Sequence, residues 1–160
     1  MATQAGLRDR LEQDYREALK SRDASRVSVI RMVKAALQNE DKARQSPLSE
    51  DDVVGVIVKE AKVRREAMTE FERGGRHDLA EQEAAALQIL QTYLPQQLTQ
   101  DELRAIVAEA VAALPPETAA NPNAATGMVM RSVMPRVKGR AEGSAVNAVV
   151  REMLAGRSAR

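Results

Sequence analysis

Apolar positions recur at helical spacing along almost the whole chain. Leu7, Leu11, Tyr15, Ala18 and Leu19 fall at i, i+4, i+8, i+11 and i+12, one face of a first helix. Ser21-Arg22-Asp23 interrupts that face, and Asp23 is placed to cap a second helix with its side-chain oxygen. Val27, Ile30, Val33 and Leu37 then form one stripe, with Arg26, Arg31, Lys34 and Gln38 mostly off it, until Ser46-Pro47. Ser49-Glu-Asp-Asp52 reads as a short-chain capping box opening a third helix. The expected buried seam of that helix is Val54, Ile57, Ala61, Met68 and Phe71, flanked by Arg64 or Arg65. Gly74-Gly75 closes it, because glycine accepts the left-handed backbone of a helix end. Asp78, with Glu81 three residues on, is expected to cap a fourth helix carrying Leu79, Leu87, Leu90 and Leu94, which Pro95 stops.

A second half starts with the clearest helix signal in the chain, the capping box Thr99-Gln-Asp-Glu102. Leu103, Ile106, Ala110 and Leu114 follow at helical spacing, and Pro115-Pro116 ends the run. Residues 117–125 read as a loop. Val129, Val133 and the nearby methionines predict a short helix over about 126–134. Pro135 and Gly139 bracket a basic turn, Pro-Arg-Val-Lys-Gly-Arg140, and Ser144 is expected to cap a last helix built on Val146, Val149, Val150, Met153 and Leu154. No β-rich window, repeat or low-complexity tract appears. The pattern predicts an all-α protein. An N-terminal antiparallel helical bundle or hairpin spans 1–96, and a small C-terminal helical domain spans 97–160.

Composition narrows the chemistry. The 160 residues include no Cys and one His, which removes disulfides, thiolate metal sites, a cysteine nucleophile and any site built from two histidines. His77 stands at a predicted helix corner without a nucleophile beside it, so it reads as a solvated or capping residue. Glu50-Asp51-Asp52 is explained by the helix macrodipole, and no second ligand set pairs with it for a metal. There is no Gly-Lys-Ser/Thr phosphate loop and no Gly-x-Ser-x-Gly turn. No catalytic residue, metal or cofactor is expected. No apolar run approaches the roughly 18 residues of a membrane helix, and no secretory leader is visible, so a soluble cytoplasmic protein is the expectation.

Charge supplies the positive signal. The net charge is +1, but residues 127–160 carry seven Arg/Lys against Glu142 and Glu152. Arg131, Arg136, Lys138 and Arg140 form the first basic group, and a rigid turn can offer several cations to one phosphate ribbon. A second group places Arg26, Arg31 and Lys34 on helix two, and Lys59, Lys62, Arg64 and Arg65 on helix three. It is spread around its helices among acids and reads mainly as an ion-paired surface. Only Tyr15, Phe71 and Tyr93 are aromatic, and the helical pattern wants all three in core or hinge positions. A nucleic-acid partner would therefore be held by backbone and shape, as with a folded RNA, and not by base stacking.

Several blocks together resemble the YqeY family: Val29-Ile-Arg-Met-Val-Lys-Ala-Ala-Leu-Gln-Asn-Glu40, Gly75-Arg-His-Asp-Leu79, Tyr93-Leu-Pro95, Gly127-Met-Val-Met-Arg-Ser-Val-Met-Pro-Arg-Val-Lys-Gly-Arg-Ala-Glu-Gly143 and Val146-Asn-Ala-Val-Val150. That family is similar to the C-terminal tail of the GatB subunit of the tRNA-dependent amidotransferase. The resemblance implies an elongated helical N-terminal part, a small helical C-terminal domain and a partner that is tRNA or an amidotransferase-like complex. It also implies a carbon–nitrogen ligase label, glutamine as amido donor, inherited from a complex whose chemistry resides in other parts. Met128 stands where the family has Lys, and Arg131 where it has Gly, so one positive charge has moved about one helical turn. Glu142 replaces the usual Asp before Gly143, a weaker cap. On these grounds the chain is expected to be a non-catalytic binding module. Its nucleic-acid-binding residues would be Arg131, Arg136, Lys138 and Arg140, joined by Arg31 and Lys34. The alternative is a protein–protein adaptor docking through amphipathic helices.

Overall fold

A computed structural model of the protein describes residues 6–158. Among these residues every regular element is helical: α1 (Leu7–Lys20), α2 (Ala24–Arg44), α3 (Glu50–Arg73), α4 (His77–Gln91), α5 (Gln100–Ala112), α6 (Pro116–Ala119), α7 (Pro122–Val137) and α8 (Gly143–Ser158). The chain divides into two compact units, the first ending at Pro95 and the second starting at Gln96. Their cores have no residue in common.

In the first unit α1–α4 pack around an aliphatic core of Leu11, Ile30, Val33, Leu37, Val53, Ile57 and Leu90, closed by Tyr93. Side-chain chemistry fixes where these helices start. Asp23 accepts the N–H of Arg26 at 3.0 Å, and Ser49 with Asp52 forms a complete reciprocal capping box. The turn from α3 to α4 is a Schellman motif. The Arg76 N–H reaches the Phe71 carbonyl at 2.8 Å and the Gly75 N–H that of Glu72 at 3.1 Å, with Gly75 at φ 71°. That closure folds α4 back along α3.

Three details of this unit correct the sequence pattern. Leu19, placed on the apolar face of α1, is 49% exposed, because α1 ends one residue later and Ala18 takes the buried position. The buried seam of α3 is Val53, Val56, Ile57 and Ala61. Val54, Met68 and Phe71 are only half-buried, and the seam turns so that the Arg64 side chain lies within the packing. Asp78 does not cap α4. The helix begins at His77, and Asp78 instead pairs with Arg76 at 3.0 Å.

The second unit packs α5, α7 and α8 on a valine-rich core: Val107, Val111, Val129, Val133, Val137, Val146 and Val150, with Leu103 and Leu114. The Thr99–Glu102 capping box is fully formed at the start of α5. The segment expected as a loop over 117–125 is mostly helical. Pro116 sits in the first turn of α6, and Asn121 caps α7 by accepting from Asn123 and Ala124. Pro122 occupies the first turn of α7, where its missing N–H has no partner to lose. The helix then runs through Pro135 to Val137, so Arg131 lies in mid-helix and not near the end of a short one. Proline three residues from the end forfeits only one backbone bond, which the buried row Ala125, Val129, Val133 and Val137 outweighs. Helix α8 begins at Gly143, so Ser144 lies inside its first turn and does not precede it.

Candidate nucleic-acid interface

The basic turn of the second unit is shorter than the proline–glycine bracket suggests, being confined to residues 138–140. Lys138 is the C-cap that follows Val137, the last residue of α7, and its ψ of 124° turns the chain away. Gly139 follows with φ 74°, a backbone that a side chain would strain. The turn is fastened to residues 96–98. Gln97 Nε2 donates to the Gly139 carbonyl at 2.8 Å, the Leu98 N–H to the Arg140 carbonyl at 2.7 Å, and Arg140 Nε to the Gln96 carbonyl at 3.2 Å. Backbone and side-chain hydrogen bonds from Thr99 lower the pKa of Glu102, and the nearby Arg140 charge adds to that.

The four cations of this region play different parts. Arg140 is half-buried and committed to the loop. Arg136 is exposed but ion-paired with Glu109 of α5 at 2.9 Å, and it complements the C-terminal end of the α7 dipole. Arg131 and Lys138 are exposed. Neither faces a carboxylate within ion-pair distance among the described residues. Helical geometry explains why. Seven residues are nearly two turns, so Arg131 and Lys138 lie on one face, about 10 Å apart along the axis, opposite the row of Val129, Val133 and Val137. Exposed Met128 shares that face.

The other two predicted residues lie in the first unit and are tied to α1. Lys34 pairs with Glu12, which lowers the Glu12 pKa through that hydrogen bond first, and its ammonium sits 4.5 Å over the Tyr15 ring. Arg31 donates to the Tyr15 hydroxyl at 3.4 Å. These contacts join α2 to α1, a structural task visible only once the helices are packed. On helix three, Arg64 is paired with Glu83 at 3.1 Å and only 14% exposed, so it does not belong to a solvated basic surface.

His77 is exposed and meets Glu72 at 3.1 Å. Among the described residues no group of three or more His, Cys, Asp or Glu is arranged to hold a metal. None of these helices is long and apolar enough to cross a membrane.

One feature of the second unit carried no sequence motif. A cleft of about 840 Å³ lies between the first half of α7 and the face of α8 that runs from Asn147 to Arg157, with Ala119 of α6 at its edge. Asn147, Arg151 and Arg157 stand on its α8 side. Arg151 Nε donates to Asn147 Oδ1 at 2.7 Å, and Arg157 Nη1 caps the carbonyl of Val111 at 2.8 Å. The signal in the sequence was the polar i, i+4 pair Asn147 and Arg151 on an otherwise aliphatic helix.

An all-helical chain in two compact units, the second carrying a fastened basic turn, defines a class of small two-unit helical proteins. The family model described as Yqey-like protein matches residues 8–154, and the chain belongs to the YqeY family. It is similar to "Altered inheritance of mitochondria protein 41, mitochondrial" of Pyrenophora tritici-repentis, at 29% identity over 134 residues, covering 82% of this chain and 71% of that protein. The protein of the same name from Eremothecium gossypii is 29% identical over 85 residues, covering 52% of this chain and 46% of the relative. An uncharacterized protein of Schizosaccharomyces pombe is 29% identical over 80 residues, covering 50% of this chain and 65% of that protein.

Proposed function

We propose that this YqeY-family chain is a non-catalytic module that holds the phosphate backbone of a structured RNA, tRNA being the prime candidate, on the outer face of α7. The observation that carries the reading is the pair Arg131 and Lys138: exposed, on one helix face, and free of carboxylate neighbours. An Arg already paired with Glu or a backbone carbonyl must give up that contact before binding phosphate, whereas these two need not. Arg136 stands beside them and can exchange an exposed pair with Glu109 for a phosphate at little cost, since such pairs contribute roughly 0–1 kcal/mol. Arg140 serves by fixing the turn and not by touching the ligand. Arg31 and Lys34 drop out of the proposed interface, because their contacts to Tyr15 and Glu12 are part of the first unit's packing.

The similarity of the family to the amidotransferase tail supports tRNA as the RNA, and an amidotransferase-type complex as the setting in which it is met. A cytoplasmic location belongs to the same proposal, while the fungal relatives carry "mitochondrial" in their own names. The direct test is titration of fluorescently labelled tRNA with the full chain at low and at physiological salt. Saturable binding that weakens steeply with salt is the expected result, and absence of saturable binding at low salt removes the proposal.

A further inference from the structure

We propose that the cleft between α7 and α8 is a docking groove for an acidic amphipathic helix of a partner protein. It lies apart from the phosphate-binding reading, since neither Arg131 nor Lys138 lines it. Met130, Leu154, Ala125 and Ala155 give the cleft its apolar lining, the uncharged Asn123, Thr126 and Asn147 stand among them, and no Asp or Glu lines any part of it. Arg151 and Arg157 stand on the rim. Arg151 spends only its Nε on Asn147, which orients the guanidinium and leaves its terminal nitrogens for a carboxylate. Arg157 is held in place by the Val111 carbonyl.

Gly127 adds a second argument. It sits inside α7, on the wall of the cleft, with nothing within 4 Å of where a Cβ would stand. A helix-interior glycine costs about 1 kcal/mol relative to alanine, and no packing inside the unit calls for it. Its absent side chain keeps the wall low enough for another helix to approach closely. An apolar lining with a cationic rim suits a helix with leucines at i and i+4 and acids beside them. A nucleic-acid strand has no use for an apolar lining, and no aromatic residue lines the cleft to stack a base. A peptide adding as a β-strand would need a strand edge, and among the described residues there is none; a polyproline-type peptide would need an aromatic-lined groove, and no aromatic residue lines this one.

Two synthetic amphipathic peptides of about 16 residues, long enough to form helix when bound, test this. They share the same leucine positions, and one carries Glu where the other carries Lys. Anisotropy titration against the full chain should show saturable binding of the Glu peptide, with the Lys peptide at least about 10-fold weaker. Arg151→Glu should remove or invert that preference. Gly127→Leu should abolish binding while the thermal midpoint of the chain does not fall. Failure of the Glu peptide to saturate, or equal binding of both peptides, overturns the proposal. If Gly127→Leu lowers the midpoint, the Arg151→Glu comparison decides alone. A short RNA duplex whose binding is lost in Arg151→Glu, with no peptide binding, would assign the cleft to nucleic acid and also overturn it.

Discussion

Arg64 and Glu83 form the least exposed ion pair among the described residues, with side chains 14% and 19% exposed. They tie α3 to α4, but the arrangement is incomplete. Arg64 Nη1 reaches Glu83 at 3.1 Å and Nη2 contacts the Met32 sulfur, while the buried Nε has no partner. A buried donor without an acceptor costs roughly 1–3 kcal/mol, comparable to what a half-buried pair returns. Arg64→Met alone should therefore destabilise the first unit by about 1–2 kcal/mol, because it strands the Glu83 carboxylate at low exposure. The double variant Arg64→Met with Glu83→Leu removes both charges and the orphan donor, and fills the site with aliphatic volume. It should return to within about 1 kcal/mol of the parent or exceed it. Urea denaturation of the parent, both single variants and the double variant gives the cycle. A double variant less stable than Arg64→Met alone would refute the reasoning, since it would mean the pair contributes far more than its desolvation costs.

Gly127→Ala should raise the stability of the second unit by about 1 kcal/mol, read as a higher midpoint in thermal denaturation, because the new methyl meets only open space. Asp52 is brought down to about 2 by the Ser49 hydroxyl and N–H and by the Arg44 guanidinium. Its contribution is present above the ordinary value of 3.8 and is lost as pH falls towards 2, so circular dichroism should show acid fraying that Asp52→Asn lacks. Tyr93 is pushed up to about 12 by burial and by its hydrogen bond to Asp14. Its contribution is whole below the ordinary value of 10 and is lost as pH rises towards 12; the alkaline loss of stability should be smaller in Tyr93→Phe.

Caps and stripes were the legible part of the fold. Asp23, the Ser49–Asp52 box and the Thr99–Glu102 box act locally, through side chains that reach N–H groups two or three residues away, so sequence alone locates them. Pro135 misled because a proline reads as a stop, whereas the long-range burial of Val129, Val133 and Val137 carries α7 past it. The loop assigned to 117–125 fails for a related reason: Pro116 and Pro122 are first-turn prolines and not breakers. At the candidate interface, the cations could be read but their engagements could not. Glu109 is 27 residues from Arg136, and Gln96 is 44 from Arg140. Lys34 looked available until Glu12, 22 residues earlier, was folded against it. Partners at such separations leave no trace in a helical period.

The most direct measurement is the salt dependence of tRNA affinity for the parent chain and for the double variant Arg131→Ala with Lys138→Ala. Each phosphate contact contributes about 0.9 to the slope of log K against log salt on duplex nucleic acid, so losing both cations should flatten the slope by roughly 1.8. The double variant should bind more weakly at low salt and keep its thermal midpoint, since both side chains are exposed on the face opposite the core. An unchanged slope and affinity in that variant would contradict the account.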